Sequence, residues 1–202
     1  MMRIFLITIG LGVFLVAGQT LLGHFGPPEG GRFDEKVVRI TREAPAPETE
    51  IRIAGGGVTS LAAWRGEVAV VTFWATWCSI CVKEMPELQA LAERYRGRGL
   101  SVLTVSVDEA PAEKLVLDFL EGRGFDLLPP LIDIDHALAR RVGMRGTPTT
   151  VIVDRFGQIV AAFEGRAPWA DDATHEYLEA LIGVQNARES RLLLSSPASA
   201  GS

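Results

Sequence analysis

Two cysteines stand in a chain of 202 residues, Cys78 and Cys81, with Ser79 and Ile80 between them. An apolar, β-type run ends just before this pair, and a helical pattern begins beneath it. At a helix N-terminus, free N–H groups and the positive end of the dipole stabilise a thiolate, and a second sulfur one turn in reaches the first. The spacing therefore predicts dithiol/disulfide exchange. Cys78 is the attacking sulfur, and Cys81 resolves the mixed disulfide. Zinc wants about four ligands. Beyond the cysteines the chain offers only His24, His136 and His175, none of them in a Cys/His spacing. Met85 and Met144 form no copper-type Met/His cluster, so no metal and no other cofactor is expected. A structural bridge is a weak reading, because so small a loop removes little chain entropy.

Three further positions bear on this chemistry. Glu84 lies one helical turn beyond Cys81 and so can share its side. A carboxylate beside two sulfurs opposes a second negative charge and can relay protons; the plain alternative is a solvated helix-surface glutamate. Trp74 is expected in the core. Trp77, next to the first cysteine, is expected either as a partly exposed substrate platform or as a buried ring.

The elements that position these residues follow from periodicity. Glu67 to Trp74 reads as a buried central strand. In the helix from Cys78, Leu88, Leu91, Ala92 and Tyr95 make one apolar face, Pro86 is expected to kink it, and Gly97 and Gly99 end it. Leu100 to Val107 is a second buried strand. Leu115, Val116, Phe119 and Leu120 mark another amphipathic helix, Leu131 to Ile134 a third strand, and His136 to Val142 a short helix. Thr149–Asp154 and Gln158–Phe163 form a hairpin around Arg155-Phe156-Gly157. Asp171 to Ile182 is the last helix. Ahead of the central strand, Glu50 to Ala54 reads as an edge strand, and a short helical turn follows, capped by Thr59 or Ser60. Alternating strands and helices followed by a hairpin imply an α/β fold: a mixed sheet with helices on both faces.

Composition sets the frame. The net charge of −5 comes without any basic cluster and argues against nucleic acid as the main partner. The charge-free span from Ile4 to His24 is long enough to cross a bilayer. Residues 1–25 are expected as an N-terminal apolar helix, a membrane anchor, with a cleaved signal peptide as the competitor. Arg3 keeps that terminus cytoplasmic and the rest exported. Residues 26–45 are expected as a linker in which Val37 to Ile40 could be a short strand, residues 46–185 as the domain, and residues 186–202 as a disordered tail.

Trp77-Cys78-Ser79-Ile80-Cys81, Pro86 five residues on, and Gly146-Thr147-Pro148-Thr149 before a strand together resemble the thioredoxin fold. Lys83-Glu84-Met85-Pro86, Leu61 to Gly66, the extra segment between Asp108 and Asp133, and Gly165 to Trp169 resemble its TlpA/ResA-like branch, membrane-anchored thiol-disulfide oxidoreductases of bacteria. The resemblance covers about residues 46–185. It implies a cis peptide at Pro148 against the cysteine pair, with the backbone of Thr147 pairing an extended client. It also implies a location at the bacterial inner membrane with the domain on the periplasmic side. Electrons would come from a transmembrane thiol-reducing partner and pass to protein disulfide clients of the cytochrome c maturation or oxidase copper-site type.

Two departures stand out from that pattern. Ile80 replaces the usual proline before the second cysteine, and Thr72 occupies the position where thioredoxins bury an aspartate. Three other activities are weighed. An oxidant or isomerase would use the same fold, and a client- or metal-binding module would use the same cysteines. A peroxidase is disfavoured by Ala75 where a threonine would be expected.

Overall fold

The computed structural model describes residues 38–195. The expected anchor at 1–25, the first part of the expected linker at 26–37 and the end of the expected tail at 196–202 lie outside the described residues. Among the described residues no helix is long and apolar enough to cross a membrane.

The chain order is β1 (Val38–Pro45), β2 (Ile51–Ile53), β3 (Val58–Thr59), a 3-10 turn (Leu61–Trp64), β4 (Val68–Trp74), α1 (Ser79–Tyr95), β5 (Leu100–Ser106), α2 (Ala112–Glu121), β6 (Leu131–Ile132), α3 (Ala137–Arg141), β7 (Thr149–Val153), β8 (Gln158–Glu164) and α4 (Asp172–Ser195). The strands form one sheet in the order β1-β8-β7-β4-β5-β6-β2-β3. β4 runs parallel to β5 and antiparallel to β7. Helices flank this mixed sheet, which is the thioredoxin-like arrangement.

β4 sits in the middle because every one of its side chains is buried, and a strand covered on both faces must be apolar throughout. Its register decides where the chemistry lies. Trp74 ends β4 opposite Ser106, the end of β5, and Phe73 faces Thr149, the start of β7. The turn carrying Cys78, the segment after Ser106 and the Thr147-Pro148 step before β7 therefore meet at one edge of the sheet. In open α/β sheets, sites collect at the carboxyl ends of the strands.

α1 buries Leu88, Leu91 and Tyr95 as its apolar spacing predicts, and it continues unbroken through Pro86, which is exposed. The structure departs from the sequence reading elsewhere. Val38–Pro45, expected within a linker, is an edge strand paired antiparallel with β8. β2, expected at the edge, lies between β6 and β3, and β3 takes the edge. Ser60 starts the 3-10 turn without a side-chain cap bond. In α2 the buried stripe is Ala112, Val116, Phe119 and Leu120, while Leu115 is 47% exposed and lies beside it. The last helix runs to Ser195, well past Ile182 and into the expected tail. His175, on the last helix, is buried and faces the Tyr95 hydroxyl at 3.3 Å.

Candidate active site

Cys78 and Cys81 form a disulfide, with their Cα atoms 5.3 Å apart. Cys78 is the N-cap of α1, and its sulfur accepts the Cys81 N–H at 3.2 Å. A sulfur in this position is aimed at the free N–H groups of the first turn, where negative charge is favoured. Cys78 keeps 8% of its surface and Cys81 1%, so the first sulfur is the reachable one. The residues around the pair are open: Trp77 is 70% exposed and Ile80 53%. Trp74, by contrast, is fully buried and packs its ring 4.9 Å from Phe119.

Glu84 is fully buried, which removes the solvated-surface alternative. Its Oε1 accepts the indole N–H of Trp169 at 2.6 Å and the backbone N–H of Ala167 at 3.0 Å. Its Oε2 has no hydrogen-bond partner. Burial pushes the Glu84 carboxyl above its ordinary range; the two hydrogen bonds and the Arg166 charge pull the other way without cancelling it. Arg166 is held by an ion pair with Glu87. Trp169 is buried against Phe163, with ring centroids 5.6 Å apart.

A second carboxylate grips the segment that leads into the cysteine turn. Asp108, just past the end of β5, is 1% exposed. It accepts the Thr76 N–H at 2.9 and 3.2 Å, the Thr76 hydroxyl at 2.8 Å and the Ser106 hydroxyl at 2.8 Å. Deeper in the sheet, Thr72 meets Thr150 hydroxyl to hydroxyl at 2.9 Å. These neutral groups satisfy each other where thioredoxins carry an acid.

The Thr147–Pro148 peptide is cis. Pro148 is buried, Thr147 is half-buried, and the Pro148 carbonyl accepts the Gly165 N–H at 2.8 Å. Thr147 and Trp77 line one groove of about 510 Å3 with Asp108, Glu109, Leu115 and His136. The fold thus brings Cys78, Cys81, Trp77, Thr147 and Pro148 to one edge, with Glu84 beneath on α1.

Sequence reasoning missed Thr76, Asp108 and the partner of Glu84. Asp108 carried no local signal. Its role depends on the parallel β4–β5 register, which no short-range pattern encodes. Trp169 belonged to a noted motif, but its contact with Glu84 spans 85 residues.

A sheet-edge disulfide at a helix N-terminus beside a cis-proline loop defines a thiol-disulfide oxidoreductase of thioredoxin-like fold. Residues 41–181 match the Redoxin family, and the chain belongs to it. It is 30% identical over 149 residues to the thioredoxin-like protein YneN of Bacillus subtilis, covering 73% of this chain and 84% of that one. It is 28% identical over 174 residues to the thiol-disulfide oxidoreductase ResA of Geobacillus thermodenitrificans, covering 86% and 94%. Among solved structures it resembles the exposed lipoprotein thioredoxin Etrx1 of Streptococcus pneumoniae, with a TM-score of 0.58, 28% identity, and 67% of this chain and 100% of that chain covered. A thiol:disulfide interchange protein of Chlorobium tepidum shares the fold with a TM-score of 0.58 at 24% identity, covering 71% and 99%.

Proposed function

We propose that this chain is an exported, membrane-tethered reductase of protein disulfides at the bacterial inner membrane, with its domain on the periplasmic side. The observation that carries the reducing direction is Glu84, a fully buried carboxyl one helical turn beyond Cys81. The groove beside Trp77 adds Asp108 and Glu109 and is lined by no lysine or arginine. With carboxyl groups around the pair and no such cation in the groove, a thiolate gains little beyond the helix dipole. A dithiol whose thiolate is poorly stabilised gives up its electrons readily; strong oxidants stabilise that thiolate instead.

The cycle conserves sulfur and electrons. The Cys78 thiolate attacks one sulfur of the client disulfide. The client S–S bond breaks, a mixed disulfide forms, and a client thiolate leaves and takes a proton. Cys81 loses its proton and attacks the Cys78 sulfur, which forms the intramolecular disulfide and expels the second client thiolate. The client gains two electrons and the pair loses two. Glu84 relays the Cys81 proton. The Thr147 backbone pairs with the extended client, with Trp77 as its platform. A transmembrane thiol-reducing partner restores the dithiol. Clients of the cytochrome c maturation or oxidase copper-site type fit this scheme. Export is supported by the charge-free span from Ile4 to His24 and by the likeness to a relative described as an exposed lipoprotein.

The test is reduction of a protein disulfide by the purified chain with dithiol in excess. Cys78→Ser abolishes turnover, and Cys81→Ser accumulates the mixed disulfide. Full turnover by Cys78→Ser would overturn the assignment of the attacking sulfur.

A further inference from the structure

We propose that Asp108 is a positioning residue for the redox centre: its carboxylate holds the Thr76–Cys78 turn and sets the charge that the Cys78 sulfur meets. The inference rests on the reading of Cys78 and Cys81 as the working pair, and it concerns how that pair is poised.

The turn is held by two sets of bonds. In the first, the Cys78 N–H donates to the Ala75 carbonyl at 3.0 Å. In the second, both donors of Thr76, two residues before the sulfur, are taken by Asp108. Asp108 is itself fixed. Its N–H donates to the Ser106 hydroxyl at 3.0 Å, and that hydroxyl donates back to its carboxylate at 2.8 Å. The Val107 N–H donates to the Trp74 carbonyl at 2.8 Å, so the ends of β4 and β5 move together. Every donor to the carboxylate is neutral, and both of its oxygens act as acceptors.

A neutral side chain could lock a turn. A buried carboxylate satisfied only by neutral donors also brings negative charge, which opposes a thiolate nearby. The other titratable groups lining the groove beside Asp108 are Glu109 from the same loop and His136 at the start of α3. Of these, only His136 can add positive charge, and its Nε2 is engaged with the Val107 carbonyl at 3.1 Å.

Two variants of the full chain separate a charge role from a structural one. Asp108→Asn removes the charge but keeps the shape. Thr76→Val keeps the charge and removes one donor that compensates it. The readouts are the pH midpoint of Cys78 alkylation in the reduced chain, the reduction potential of the pair, and melting of both redox states. Asp108→Asn moves the midpoint down by about half a pH unit or more and makes the pair more oxidising. Thr76→Val moves the midpoint up. Opposite shifts support the proposal, and if Asp108→Asn does not fold, the sign of the Thr76→Val shift decides. Unchanged midpoints with equal loss of melting temperature in both redox states reduce Asp108 to a loop lock and overturn it, as do shifts of the same sign. The potential is read without any client, so this failure is distinct from retained turnover in Cys78→Ser.

Discussion

At the scale of single residues, the proposed function turns on where each carboxyl sits relative to the sulfurs. Glu84 gives a prediction with a definite sign. Its carboxyl is raised above the ordinary value of 4.5 by burial. The folded chain therefore binds that proton more tightly than the unfolded chain does. The favourable contribution is complete below pH 4.5 and is lost as the pH rises through the folded value. Glu84→Gln mimics the protonated form and should melt higher than the parent at pH 7, with the difference closing below about pH 4.5. Melting curves across pH check this, and a variant that melts lower at pH 7 would contradict it. The cysteines were legible from spacing alone, because a helix N-terminus is a local feature. The burial of Glu84 was not. Its spacing fits a solvated surface equally well, and only the arrival of Ala167 and Trp169 from the far end of the chain buries it.

At the scale of elements, α4 is latched onto α1. The Tyr95 hydroxyl lies 3.3 Å from His175 Nδ1 and 3.5 Å from Glu179, while Arg98 reaches Glu179 at 3.2 Å. Burial, then the Arg94 charge, lowers the His175 pKa below its ordinary value of 6.5. A histidine with a depressed folded pKa contributes fully above its unfolded value and loses that contribution as pH falls through the folded value. The parent should therefore lose melting temperature as pH drops below 6.5, and His175→Phe should lose less. Equal slopes for the two would show that α4 docking does not depend on this ring. The elements were largely legible because buried strands and amphipathic helices carry period signals. β4, α1, β5 and the β7–β8 hairpin fall where periodicity placed them. What escaped was non-local. β1 is a strand by virtue of its pairing with β8, and β2 moves inward because β3 folds back against it. Leu115 belongs to an apolar run yet lines a groove, since the stripe through Ala112, Val116 and Phe119 takes the core side.

At the scale of the whole molecule, one edge of the sheet gathers the cysteine turn, the Asp108 segment and the cis-proline loop. Parallel β4 and β5 bring Thr76 to Asp108, and antiparallel β7 brings the cis-proline loop beside Trp77. Beneath them, α1 supplies a dipole that favours the thiolate, and in the function proposed above the buried Glu84 acid opposes it. In the proposed reductase, the balance between these two effects makes the pair reducing. The reduction potential of the Cys78/Cys81 pair measures that balance directly, by equilibration of the purified chain with a dithiol/disulfide buffer. The prediction is a reducing pair, at or below the value of about −270 mV typical of thioredoxin. A potential near that of a strong disulfide donor, about −120 mV, would contradict the assignment as a reductase.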